Sequence, residues 1–436
     1  MTTAPASTSL TFRLWKWFLL SILCAAGVWL YADRVLIPHQ IADAAAHGRP
    51  RGNLSDLYLH WVSARELLLN RRDPYSPDVT REIQQGYYGR PLDRPGDPKD
   101  QRFAYPVYVV FFLAPATHLP FEIVRQVFRG VLLLLTIVTI PLWLRVLRWP
   151  TSLWAQASMV IFTLGSLTVM QGLKLQQMTL LVAFLVAIGL ALLASDHPIP
   201  AGIALALSTI KPQLVWLLLL WLMIWTLADW RRRYRLAASF LFTMVILWAA
   251  SEWYLPHWIP RFLQALREYP TYTDAVSTLD KFFPAPWALM LRVLTVAAAA
   301  HISWQNRRLA ADASSFAVTA SLILAVTNIV TPSYALYNQV MLLPALLIVA
   351  RDRQLLWNRN RMSRALLSLV AILLLWTWLA SIVLAGLSFV LQRETVEQAW
   401  AVPFWTVLHL SVGVAALMLV HHYQGTFAAP PKPGSS

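Results

Sequence analysis

The stretch AGIALALSTIKPQLVWLLLLWLMIWTLADWRRRYR, residues 201–235, decides the class of this protein. A crossing of bilayer hydrocarbon needs roughly 20 apolar residues, and the run from about 200 to 228 supplies them. It ends in Arg231, Arg232, Arg233 and Arg235, a basic flank of the kind that collects on the cytoplasmic side. One charge interrupts the run: Lys211, followed by Pro212 and Gln213. An ammonium at the centre of a span costs about 3 kcal/mol, so such residues normally face a cavity and a partner. Pro212 breaks the helix locally and frees a nearby carbonyl. A lipid phosphate is a natural counter-ion for Lys211; a carboxylate, or snorkelling to the interface, would satisfy it equally.

The rest of the chain reads the same way. Hydrophobic residues make up 58 % and charged residues 13 % of 436, where a soluble domain carries about 25 % charge. The 21 tryptophans suit a protein with two lipid–water boundaries. Further apolar segments near 14–31, 103–120, 130–147, 153–170, 178–194, 236–255, 284–302, 314–331, 335–350, 365–387 and 403–422 predict, with 200–228, about twelve spans. The first, flanked by Arg13 and Lys16 and lacking a small-residue cleavage site, reads as a retained anchor. Arg307 and Arg308, and then Arg351, Arg353, Arg359, Arg361 and Arg364, fall on the same face as the 231–235 cluster. That face is therefore cytoplasmic, with both termini, in an inner or plasma membrane. Arg145 and Arg148 land on the opposite face, which leaves room for a re-entrant or short helix within 153–194. The net charge of +15 thus orients the protein and does not point to nucleic acid. Cys24 is the sole cysteine, so no intrachain disulfide forms.

Between Tyr31 and Phe103 the apolar spans stop. This loop carries Asp33, Asp43, Asp56, Glu66, Asp73, Asp78, Glu82, Asp93, Asp97 and Asp100, 10 of the chain's 21 carboxylates. The chain divides accordingly into an anchor helix (1–31), an extracytoplasmic loop (32–102), a multi-span domain (103–422) and a flexible tail (423–436). Within the loop, DLYLHWVSARELLL (56–69) spaces Leu57, Trp61, Ala64, Leu67 and Leu68 as a helix, with Asn53 and Ser55 placed to cap it. Its pattern predicts an amphipathic helix along the outer interface. The helix ends at Asn70, and Asp73-Pro74 turns the chain. Residues 86–100 read as a mobile loop. The whole is an all-α integral membrane protein.

The string NLSDLYLHWVSARELLLNRRDPYSP resembles the first outer loop of glycosyltransferase family 87, in the GT-C superfamily. Asp56, Tyr58, Ala64 and Asp73-Pro74-Tyr75 occupy the family's places there. FAYPVYVVFFLAP (103–115), QQMTLLVAFLVAIGLALL (176–193), AGIALALSTIKPQ (201–213) and TPSYALYNQVMLLPALL (331–347) follow in the family's order. The resemblance spans roughly residues 50–350. It implies a GT-C fold and a polyprenyl-phosphate sugar as donor, with mannose foremost. It also implies inverting transfer on the outer face to a lipid-linked or glycan acceptor. Two positions depart from the pattern: the usual glycine before Gln177 is Gln176, and the acidic or His residue of the last motif is Asn338.

The chemistry asks for the same residue types. A sugar-1-phosphate lipid leaves as a stable anion, so its departure needs cations and no proton. The attacking hydroxyl needs one base, whereas a glycosidase needs two carboxylates. Asp56, beside the bilayer where both lipids arrive, is the candidate base, although a helix N-terminus also favours an aspartate for capping and dipole reasons. Lys211 is the candidate phosphate binder. Lys174 and Gln177, in the polar break QGLKLQQ, and Tyr75, Tyr105, Tyr334, Tyr337 and Asn338 are candidate substrate contacts, each equally readable as ordinary loop or interfacial residues. Arg71 and Arg72 suit lipid headgroups or the donor phosphate. His39, His47, His60 and His257 are scattered and read as structural. No phosphate loop, zinc array or cofactor motif is found. A secondary transporter or lipid flippase is the alternative, favoured by span count and Lys211 but without the duplicated halves such proteins show.

Overall fold

The computed structural model describes residues 6–48, 55–90, 92, 97, 100–273, 276–332 and 335–426. Tyr334, Asn53, seven residues of the predicted mobile loop (91, 93–96, 98 and 99) and the end of the tail lie outside them. No strand occurs among the described residues.

Helix α1 (Ala6–Tyr31) does not stop where the apolar span was expected to end. One π turn at Ala32–Leu36 carries it into α2 (Ile37–Ala46), because Ala32, Val35, Leu36 and Ala44 still find buried partners. Two short helices follow, α3 (Leu57–Asn70) and α4 (Pro77–Tyr88). Next come α5 (Phe121–Val146) and a pair, α6 (Leu153–Leu164) and α7 (Leu167–Lys174), bent by 62°. Then α8 (Met178–Ala194), α9 (Pro198–Leu207), α10 (Trp216–Leu227), α11 (Trp230–Tyr254) and α12 (Trp258–Tyr272) run in sequence. The last third holds α13 (Thr278–Phe282), α14 (Ala285–Gln305), α15 (Ser314–Val330), α16 (Leu343–Arg351), α17 (Arg353–Arg359), α18 (Arg361–Leu387), α19 (Arg393–Glu397) and α20 (Val407–Thr426).

This is a membrane protein. Among the described residues six stretches are long and apolar enough to cross a bilayer, or seven if the α6–α7 pair is one broken span. The outward faces of α11 and α18 carry apolar side chains such as Phe242, Val245, Ile372 and Leu375, as hydrocarbon allows. The predicted segment 200–228 is not one helix: it breaks at 208–215 into α9 and α10. Segment 103–120 is shortened to a 3₁₀ helix, Val107–Ala116, and 335–350 begins as another, Leu336–Leu342. The bend within 153–174 matches the room left for a short or re-entrant helix.

α3 forms where the spacing placed it, but its apolar stripe is not its only buried face. Leu57, Leu59, His60, Trp61, Val62, Ala64, Glu66 and Leu67 are all buried, so it is enclosed on nearly every side. It packs on the 107–116 helix and α4. The reason is that Leu59, Val62 and Glu66, off the apolar stripe, meet protein as well.

Small residues set the closest helix approaches, as in other membrane bundles. α1 lies on α6 where Gly165 meets Ala25; a Cβ on Gly165 would stand 2.4 Å from the Ala25 Cα. The carbonyls freed by the α6–α7 break are taken by two indoles: Trp29 donates to Leu164 O at 3.1 Å and Trp378 to Gly165 O at 2.7 Å. Gly165→Leu is expected to lower the melting temperature of the detergent-solubilised protein by several degrees, read by thermal unfolding of intrinsic fluorescence.

A candidate active site where three helix breaks meet

Irregular backbone inside a membrane protein is tolerated where it is buried in protein or lines a cavity. Here three breaks converge: 175–177 between α7 and α8, 208–215 between α9 and α10, and the segment after α15.

At the first break Gln176 takes a left-handed conformation, φ 48°, which glycine adopts most easily. Gln176 stands where the resemblance would put a glycine. Gln176 compensates by donating its side-chain amide to Leu173 O at 2.6 Å and Lys174 O at 2.9 Å. The turn frees Leu175 O, which accepts both the Asp56 N–H and the Ser55 hydroxyl at 3.1 Å. The start of α3 is thereby bolted to the break.

Ser55 also accepts the Leu57 N–H at 3.1 Å, while the Asp56 side chain caps nothing. Capping therefore does not explain Asp56. Its carboxylate accepts instead from Gln177 Nε2. The Gln177 Oε1 in turn accepts from Lys211 Nζ at 2.8 Å, so one amide bridges carboxylate and ammonium with its orientation dictated by both. Asp56 is half-buried. Burial pushes its pKa up to about 6, opposed by Lys211, the Gln177 hydrogen bond and Lys174, and aided by Asp100.

The second break presents Lys211. The residue before a proline avoids the helical region, and Lys211 sits at φ −127°, ψ 75°. Its side chain turns inward and is only 3 % exposed, so it does not snorkel to an interface. Nζ donates to Gln177 Oε1 and to Thr179 Oγ1 at 2.9 Å. Among the described residues no carboxylate lies within 4.0 Å of it. Its remaining surroundings are the Tyr337 and Tyr105 rings, 5.1 and 5.9 Å from Nζ. An ammonium has three N–H donors, and two neutral oxygens take two of them. Arranged this way, a buried cation is a place for an anion.

The third break supplies Asn338, whose Oδ1 accepts from Thr179 Oγ1 at 3.0 Å, and Tyr337. Thr331 couples it to the second break by donating to Gln213 O at 3.1 Å.

Of the residues singled out from sequence, Asp56, Gln177, Lys211, Tyr105, Tyr337 and Asn338 meet here. Lys174 is not in a loop; it ends α7, bonds Gln40 on α2 and stands at the edge of the cluster. Tyr75 supports Tyr105 by donating to its carbonyl at 2.6 Å. Tyr334 lies outside the described residues. Arg72 is committed to Glu66 and Glu82, at 2.5 and 2.8 Å, and Arg71 to the Tyr254 ring, so neither is set aside for a headgroup.

Sequence reasoning missed Thr179 and Tyr269, and read His60 as structural. Thr179 lies two residues beyond Gln177, one helical step into α8, and that polar start was the available signal. His60 packs 4.4 Å from the Tyr105 ring, and burial, with Lys211 nearby, drives its pKa down to about 3. It is a neutral wall at physiological pH.

Beside the cluster an apolar groove of about 350 Å³ runs between Tyr105, Pro212, Trp216, Phe262, Tyr269 and Pro332. Replacing Gln177 with Ala removes a hydrogen bond that favours the ionised carboxyl. The pH profile of any reaction using Asp56 should then shift to higher pH, with activity at pH 6 falling about tenfold.

The family model of glycosyltransferase family 87 matches residues 103–332, just over half of the 436. The match takes in Tyr105, Gln177 and Lys211; Asp56 precedes it and Tyr337 and Asn338 follow it. No curated protein and no solved structure matches.

Proposed function

We propose, from the premise that this chain belongs to glycosyltransferase family 87 and is a membrane glycosyltransferase, that it moves a sugar from a polyprenyl-phosphate carrier. Mannose is the first donor to try, for the resemblance described above. The acceptor is a lipid-linked or other glycan at the outer face of the membrane, and the anomeric centre is inverted.

The observation that carries this reading is the Asp56–Gln177–Lys211 relay: one half-buried carboxylate and one buried cation with no carboxylate within 4.0 Å among the described residues, joined by an amide. In the reaction an acceptor hydroxyl attacks the anomeric carbon as its bond to the phosphate oxygen breaks. The proton leaves the hydroxyl for Asp56, and the electron pair leaves with polyprenyl phosphate. Lys211 is the residue suited to hold that phosphate, and the aromatic rings around it exclude water and strengthen the interaction. A pKa near 6 suits a base that must be ionised yet willing to take a proton at neutral pH. The apolar groove along Tyr105, Pro212 and Trp216 gives the isoprenoid a path out to lipid.

Orientation follows the arginine clusters, with α3, α4 and α12 outside and both termini cytoplasmic. The test is transfer by purified protein in lipid from a panel of labelled polyprenyl-phosphate hexoses and pentoses to membrane glycolipids. Labelled glycolipid from one donor supports the reading; no donor consumed in any pairing overturns it.

A further inference from the structure

A second cavity lies outside the catalytic cluster. It measures about 510 Å³, within the usual range for small-molecule sites, and opens between the α3–α4 turn, the start of α4, residues 102–103 and α12. Its wall is built unlike the apolar groove beside Lys211. Amides (Gln84, Gln264), hydroxyls (Ser76, Thr80), carboxylates (Asp73, Glu268) and arginines alternate with the rings of Tyr75, Phe103 and Tyr272.

α12 separates the two spaces. Arg261, Gln264, Ala265, Glu268 and Tyr272 recur at helical spacing and face the polar cleft. Phe262, Leu266, Tyr269 and Pro270 occupy the neighbouring stripe and face the apolar groove. Where the helix ends, the two sides come together: the Tyr269 and Tyr272 rings are 5.6 Å apart. Phe103, in the cleft wall, stands 6.1 Å from the ring of Tyr105 beside Lys211. One layer of residues thus parts the cleft from the Lys211 cluster: Phe103 and Tyr75, in the cleft wall, touch Tyr105, whose ring lies 5.9 Å from Lys211 Nζ.

We propose that this cleft binds the neutral glycan end of the acceptor, with α12 as the partition between acceptor sugar and donor lipid. The inference rests on the reading of Asp56 as base. Charge pairing selects the ligand class. Arg261 is held by Asp73 at 2.7 Å, Arg102 lies 3.8 Å from Glu268, and Arg81 is paired with Asp78. Paired in this way, the arginines attract a phosphate less than a cation without a carboxylate beside it would. A polyhydroxyl sugar accepts from and donates to both partners of each pair, while its C–H face lies on the rings.

The test uses full-length protein in lipid, the polyprenyl-phosphate sugar that it consumes, and total membrane glycolipid extract as acceptor source. Two rates are read: label entering glycolipid, and free sugar released by water. Ala265→Trp, which fills the cleft from a position with no polar role, should lower transfer to glycolipid at least tenfold and change release to water less than twofold. Gln264→Leu, a milder change on the same face, should raise the glycolipid KM severalfold with kcat kept. Unchanged transfer in both variants would overturn the inference and leave Asp56 as base. So would an equal fall in both rates, which would mark a structural role. Donor untouched by wild type, in glycolipid or water, would bring down the reading beneath it.

Discussion

Asp56→Asn should reduce sugar transfer by about 10³-fold in kcat while leaving donor KM within a few-fold, because general-base catalysis is worth 10²–10⁴ and the amide is nearly isosteric. The protein should remain folded. Asp56 does not cap α3, since Ser55 accepts the Leu57 N–H and Leu175 O receives the Asp56 N–H through backbone alone. Removing a partly desolvated charge also lifts a penalty on the native state. The wild-type profile should show the same group. The raised pKa means the carboxylate form predominates only above about pH 6, so kcat/KM rises with pH through that value and levels off. Full activity in a folded Asp56→Asn protein would reject the assignment.

Lys211→Met should cost at least 10²-fold in kcat/KM, the size expected when one preorganised electrostatic group is removed from a transferring phosphate. Two further readouts separate this role from a structural one. First, stability should change by no more than about 2 kcal/mol, because relief of the buried ammonium is offset by the donor that Gln177 Oε1 and Thr179 Oγ1 lose. A lysine kept for folding would give a larger fall. Second, Lys211 lowers the Asp56 pKa, so its loss should move the pH midpoint upward from about 6. Thermal unfolding and a pH–rate profile of the residual activity measure both.

How far the site was legible in the sequence differs residue by residue. Lys211-Pro212 stands out in any reading, since a charge beside a helix breaker inside an apolar run has few bland explanations. Asp56 was visible as a candidate, but the pattern could not separate a base from a cap. The hydrogen bonds of Ser55 and Leu175 O set the cap aside. Gln177 gave the weakest signal relative to its position in the structure. Its amide joins a carboxylate 121 residues before it to an ammonium 34 residues after it. No local period carries such a link. The two stripes of α12 were present in WIPRFLQALREYPTY all along, yet a stripe says nothing until the partner of each face is known.

The fold divides along the same line. Composition alone made this a helical membrane protein, because a chain with 58 % hydrophobic and 13 % charged residues must satisfy its backbone internally in lipid. Basic clusters supplied an orientation, and proline and glycine positions marked where helices stop. What the chain could not state was which apolar stretches cross the bilayer whole. Segment 200–228 is apolar enough for one span but folds as two helices, because the Lys211-Pro212 break is stabilised by Gln177, Thr179 and Thr331 from elsewhere. Likewise α3 carries the pattern of a surface helix and is buried. Hydropathy is a property of residues, so the sequence determines it. The choice between lipid, water and protein as each residue's neighbour belongs to the packed molecule, and only tertiary structure decides it.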